Sequence, residues 1–304
     1  MPSPASEGRP LPRGYGGARG FEHRIEALLA GGGCVQAIGR SYEGRALQAY
    51  QWESTPAAPR LLLLSLLHPM EWIGLETHLA LLGTLLDPAA GGPGPANPRL
   101  RPSVASVPIA NPDGFHRVEA DLRAGRFRWR RGNIARVDLN RNFPVDHRAR
   151  TGLRAAWPLH RPGPSPLSEP ETRAIAQFAR SFRPTIAISL HSFGRWIFVP
   201  PAGRWRRAPA SDTLLRRARE ASGLAHYRSA VLGRWSPFFR AHGTELDFLH
   251  EELGAASYLV ELSGGGFSRW GATCLLSPFH LFNPPCPERE ITRVLPALLR
   301  LASS

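Results

Sequence analysis

The stretch Arg60–Leu67, RLLLLSLL, does most to restrict what this chain can fold into. It is a continuous apolar run of strand length with no alternation of wet and dry positions, the pattern of a strand covered on both faces. Such strands sit inside parallel sheets, where neighbours are joined by crossovers that are usually helical. The surrounding chain supplies those parts. Glu71–Leu86 reads as a helix, SVASVPIA before Asn111 as a second strand, TIAISL up to His191 as a third, and SYLVEL, which contains Glu261, as a fourth. Helical spacing recurs at Phe21–Ala30, Ser211–Ser222, Thr244–Leu253 and Arg289–Leu301. Ser168 and Glu171 have the spacing of a capping box for a helix reaching about Phe182. VQAIGRSYEGRALQAYQWES alternates and turns at Glu43 and Gly44 like a hairpin. Strands alternating with helices imply an α/β fold with a largely parallel sheet and helices on both faces.

The 304 residues, 42% of them hydrophobic, suffice for one large domain with a full core. The runs near Leu61–Leu67 and Leu79–Leu86 are too short to cross a bilayer, so no membrane partner is expected. Residues 1–20 carry Pro, Gly and Arg but no apolar segment, and read as a flexible tail rather than a secretion signal; residues 21–304 form the domain. Cys34, Cys274 and Cys286 are an odd set that suggests no disulfide framework and fits a reducing compartment, so the expected location is the cytoplasm. The net charge is +14, and every one of the 38 basic residues is arginine. No helix-turn-helix, zinc finger or RNP-like pattern accompanies that charge, so no nucleic-acid partner is expected. The excess still suits anionic substrates.

In α/β sheets, polar chemistry collects beyond the carboxyl ends of the strands. His68, Asn111 and His191 each follow an apolar strand, and Glu261 lies near the end of another. A catalytic zinc site takes three His, Glu, Asp or Cys ligands and leaves one position open. His68 and Glu71, one tight turn apart at a helix start, can face one ion, with His191 closing the triangle. Alone, H-x-x-E is a weak signal that reads first as a core histidine and a helix-start carboxylate favoured by the helix dipole. An ionised Glu261 inside an apolar strand is harder to account for without a partner, because burying a bare carboxylate costs several kcal/mol.

Further motifs surround these residues: GRSYEGR, HPMEW, ANPDGF at Ala110–Phe115, RWRRGN at Arg128–Asn133, VDLNRNFP at Val137–Pro144, SEPET at Ser168–Thr172, SLHSF at Ser189–Phe193 and VELSGG at Val260–Gly265. In this order the chain, from about Phe21 to its C-terminus, resembles the zinc metallocarboxypeptidases related to carboxypeptidase A. The resemblance implies a single α/β/α domain with a mixed, mostly parallel sheet of eight strands. It implies one zinc ion held by His68, Glu71 and His191, with Glu261 as general base and Arg130, after Trp129, as the oxyanion-stabilising arginine. It places Asn140 and Arg141 on the C-terminal carboxylate of a peptide substrate, whose planar match to a guanidinium explains action at a chain end. Asp113 is expected to be structural, or a partner orienting His68.

The chain also departs from that family's pattern. Met70 stands where an arginine often contacts substrate, Phe239 where a mobile tyrosine caps the site, and Leu246 at the floor of the side-chain pocket. Leu246 implies an apolar C-terminal residue. A shift of one position, to Glu245 or Asp247, would make the pocket acidic and leave the preference open. No inhibitory segment is evident, so the domain is expected to be made ready-folded. The expected activity is a C-terminal peptidase; the alternatives are an amidohydrolase of the same family acting on cell-wall peptides or γ-linked glutamates, and a non-catalytic peptide binder.

Overall fold

Leu61, Leu62, Leu63 and Leu64 are all buried, and they divide by parity. In the computed structural model, which describes residues 8–87, 101–147, 160–205, 211–236, 239–265 and 277–303, Leu61 and Leu63 join one hydrophobic cluster while Leu62 and Leu64 join another. Their strand, β3 (Arg60–Ser65), therefore carries a core on each face. It lies in an eight-stranded sheet with β1 (Cys34–Arg40), β2 (Ala46–Trp52), β4 (Ser103–Val107), β5 (Ile186–Ser192), β6 (Trp196–Val199), β7 (Arg228–Val231) and β8 (Ala256–Leu262). The strand order is β1-β2-β4-β3-β5-β8-β6-β7. The central run β4-β3-β5-β8 is entirely parallel, whereas β1, β2 and β4 pair antiparallel and β6 runs antiparallel to β8. The 42–44 hairpin turn joins β1 to β2 as its sequence implies.

Helices cover both faces. On one side lie α1 (Gly17–Leu29), α2 (Trp72–Leu86), α3 (Pro112–Arg123), α5 (Ser211–Ala225), α7 (Pro278–Phe282) and α8 (Pro287–Ala302); on the other lies α4 (Pro170–Phe182). The segment expected to be one helix at Thr244–Leu253 is a single turn, α6 (Glu245–Asp247), continued as a π-helix, Phe248–Glu252. The result is an α/β/α sandwich with a mixed, mostly parallel sheet.

The structure differs from the sequence expectations at two termini. Tyr15 is buried and donates its hydroxyl to Pro284 O at 2.7 Å, and α1 begins at Gly17, so the fold starts ahead of residue 21. The capping box at α4 does not form: Ser168 Oγ turns to Glu169 Oε1 at 2.7 Å, and Glu169 is the capping residue. Cys34 and Cys286 are free and exposed, while Cys274 lies outside the described residues. No helix among the described residues is long and apolar enough to cross a membrane.

Glu171 instead serves a buried acidic pair. Asn133 Nδ2 donates to Glu169 Oε2 at 2.7 Å and to Glu171 Oε2 at 3.1 Å, and Glu171 Oε1 has no protein partner. Burial, with the nearby Glu169 and Asp113 charges, pushes Glu171 from 4.5 up to about 7. The folded state then keeps a proton that the unfolded chain releases, so this contribution to stability is full below pH 4.5 and is lost as pH rises toward about 7. Glu171→Gln should flatten the decline in thermal midpoint across that interval. A variant with the wild-type slope would place the proton elsewhere.

Candidate metal centre

The centre is assembled where β3 hands over to α2. Leu66, at φ 52°, turns the chain sharply, a conformation that costs ~1–3 kcal/mol and persists because the residue is fully buried. The HPMEW turn is then pinned: Glu71 N–H donates to His68 O (3.1 Å), Trp72 Nε1 to Pro69 O (3.0 Å) and Asn283 Nδ2 to Met70 O (2.7 Å). Gly74 lets α2 lie against β5, since a Cβ there would fall 3.2 Å from Leu190 O. That approach brings Glu71 beside His191. Met70 is buried, its Sδ accepting the Arg130 amide at 3.0 Å, so it braces the arginine loop.

His68, Glu71 and His191 converge as the sequence implies. His68 Nδ1 is 2.9 Å from Glu71 Oε1, His191 Nδ1 is 3.1 Å from Glu71 Oε2, and the two Nδ1 atoms are 3.2 Å apart. All three side chains are buried, and one ligand atom from each lies within 4.8 Å of the others. Two imidazole nitrogens aimed at each other across a carboxylate satisfy one another only by holding extra protons. A divalent cation meets the same donor set with no such requirement, and the set is of the type zinc takes.

The outer nitrogens are held by carboxylates. His68 Nε2 is 2.9 Å from Asp138 Oδ1, and His191 Nε2 is 3.0 Å from Glu245 Oε1 and 3.1 Å from Ser189 Oγ. Each carboxylate accepts the Nε2 proton, fixing the tautomer that leaves Nδ1 free to ligate. Asp138 therefore does for His68 what was considered for Asp113, which is engaged elsewhere by Ser41 Oγ, the Glu43 amide and Arg45. Burial alone would raise Asp138, but Arg131 and His68 outweigh it and hold the carboxyl well below the usual range. Burial likewise opposes ionisation of Glu71, yet the two imidazoles lower it to about 2. For His191 burial disfavours the cation, but Glu245 and Glu71 raise it to about 10.

The two arginines that follow Trp129 point to different partners. Arg130 is turned away to an ion pair with Asp121, whereas Arg131 donates from Nε to Asp138 Oδ2 at 2.9 Å and brings Nη1 within 3.9 Å of Glu71 Oε1. Arg141 donates to the Asn140 carbonyl at 2.5 Å and makes no salt bridge among the described residues; burial lowers its pKa, and the nearby Asp138 and Glu245 charges offset that only in part. Asn140 is buried, with Oδ1 accepting the Glu245 amide at 3.1 Å and Nδ2 3.4 Å from His191 Nε2. Glu261 pairs in register with His191 across β5 and β8. Burial, then the Glu71 charge, pushes it up to about 7, and its Oε2 is buried with no protein partner.

Leu246 and Phe239 meet in a separate apolar cluster with Phe198, Leu232 and Leu259. Phe239 also packs edge-on against Trp235 and His160, at 5.8 and 6.5 Å. His160 itself is driven down to about 3 by burial, then by Arg141 and Arg131. The two acidic neighbours of Leu246 are accounted for: Asp247 accepts the Ala202 and Gly203 amides at 2.7 and 3.0 Å, and Glu245 holds His191.

Glu245 was not singled out as a site residue from the sequence, and it yields a direct expectation. Glu245→Gln keeps the shape but removes the charge that polarises His191, so zinc affinity should fall about 10–100-fold. Competition against a chelating dye measures it; unchanged affinity would make the contact incidental.

Comparisons with known proteins agree with this centre. The sequence profile described as zinc carboxypeptidase matches residues 34–290. A metallocarboxypeptidase A-like protein of Trichophyton verrucosum is 28% identical over 253 residues, covering 76% of this chain and 58% of that one. Human carboxypeptidase A6 is 26% identical over 272 residues, covering 83% and 59%. The chain thus spans about three-fifths of the length of these two curated relatives. Bovine thrombin-activatable fibrinolysis inhibitor, solved with a tick carboxypeptidase inhibitor, shares the fold with a TM-score of 0.74 at 21% identity, over 95% of this chain and 96% of that one.

Proposed function

Since the chain belongs to the zinc carboxypeptidase family, we propose that it is a zinc-dependent metallocarboxypeptidase that removes the C-terminal residue from peptides. The observation that carries this reading is the buried His68, Glu71 and His191 triangle with Glu261 beside it in register. Zinc held by those three ligands supplies the Lewis acidity that polarises a substrate carbonyl and acidifies water.

The chain's own residues divide the remaining work. Glu261 accepts the proton of the attacking water at its carboxylate and returns it to the departing amine. Arg131, fixed by Asp138, presents a cation where negative charge grows on the carbonyl oxygen, the point at which a preorganised charge accelerates the reaction most. Arg141, lacking an ion-pair partner of its own among the described residues, and Asn140 hold the terminal carboxylate and so restrict cleavage to the last bond. The apolar cluster around Leu246 and Phe239 receives the terminal side chain, which favours apolar residues.

Paired peptides that differ only in a free or an amidated C-terminus, followed by mass spectrometry, test the proposal. Loss of one residue from the free acid alone is expected. Equal cleavage of both, or internal cleavage, would overturn it.

A further inference from the structure

A cavity of about 520 Å³, which shares Arg131 with the surroundings of the metal centre, has walls that include Arg117, Arg128, Trp129, Arg130, Arg131 and Arg136. No Asp or Glu lines it. Arg117, Arg130 and Arg131 have carboxylate partners in Glu43, Asp121 and Asp138, but among the described residues none pairs with Arg128 or Arg136, and both are exposed. Arg128 and Arg136 thus add positive charge that no described carboxylate offsets, and an anion bound there removes that repulsion while gaining planar, two-pronged hydrogen bonds.

Two observations tie the cavity to the reaction. Arg131 belongs to both, since it also reaches Asp138 and Glu71. Trp129 packs edge-on against Phe282 at 5.5 Å, and Phe282 packs likewise on Phe193, two residues after His191. If Arg131 faces the scissile carbonyl, the residues on the amino-terminal side of that carbonyl leave past Arg131 and its loop. We propose that this cavity is a subsite for carboxylates on the amino-terminal side of the cleaved bond, giving the enzyme a preference for acidic substrates. The inference rests on the carboxypeptidase reading above. The shared chemistry is a carboxylate, borne either by acidic side chains of an ordinary peptide or by the free α-carboxylate of a γ-linked glutamate.

The test uses the zinc-loaded protein and peptides with one common C-terminal residue, preceded by three alanines, three α-linked glutamates or three γ-linked glutamates. At low salt one of the glutamate peptides should exceed the alanine peptide in kcat/KM by about tenfold or more, an advantage that salt erodes. Whichever linkage is preferred identifies the source of the carboxylate. The double variant Arg128→Ala with Arg136→Ala should bring the ratio toward one while leaving the alanine peptide unchanged. A wild-type ratio of one, or a preference that survives in the variant, overturns the proposal. Should no peptide be cleaved, the carboxypeptidase reading fails, and fluorescence anisotropy of a labelled triglutamate peptide still tests the cavity. Tighter binding to wild type than to the double variant supports it, and equal binding overturns it. Circular dichroism confirms that the variant is folded.

Discussion

Glu261→Gln is expected to lower kcat/KM by ~10²–10⁴ while the protein still binds one zinc ion, because the amide fills the same space but accepts no proton from water. Glu261 makes no hydrogen bond to His68, Glu71 or His191, so its replacement leaves the triangle of ligands intact. Its Oε2 is buried and unpartnered, so neutralising the side chain should maintain or raise the thermal midpoint. Activity, metal content and stability thus move in three different ways. Turnover unchanged in a fully zinc-loaded variant would remove Glu261 from the mechanism; a parallel loss of zinc would make it part of the site's scaffold instead.

The second large effect separates two adjacent arginines. Arg131→Ala should lower kcat by ~10²–10³ with little change in KM for short peptides, the signature of a charge used in the transition state rather than in substrate binding. Arg130→Ala should leave kcat near the wild-type value, since its guanidinium is committed to Asp121. Removing Arg131 also strips Asp138 of a partner in a buried position, so Arg131→Lys is the necessary companion. It keeps the charge near Asp138 and should recover part of the activity. If Arg130→Ala carries the large loss instead, the register read from Trp129 is the correct one.

The two histidine ligands and Glu261 were legible because each lies in or just past an apolar strand, whereas Glu71 opens a helix and gained meaning only from His68 three residues before it. His68 and His191 follow β3 and close β5, and Glu261 sits opposite His191 in β8. The outer carboxylates were not legible in the same way. Asp138 stands within VDLNRNFP, yet its contact with His68 spans 70 positions of chain and depends on where a 3-10 turn, Leu139–Arg141, settles. Glu245 looks like an ordinary acidic residue in a helix's first turn, which is also what it is locally. The choice between Arg130 and Arg131 is hidden in a run of arginines, and the proposal of Arg131 rests on the separate ion pairs of the two with Asp121 and Asp138. The antiparallel strand β6 escaped notice because four residues, Trp196–Val199, carry too little periodic pattern to register.

Stripping the protein of metal with a chelator and titrating zinc back, while following release of the C-terminal residue from a free-acid peptide, tests the central claim most directly. The account predicts no turnover in the stripped protein, a linear recovery that saturates at one zinc per chain, and no recovery in a His191→Ala variant. Turnover that survives complete removal of metal, or that returns equally in the His191 variant, would contradict it.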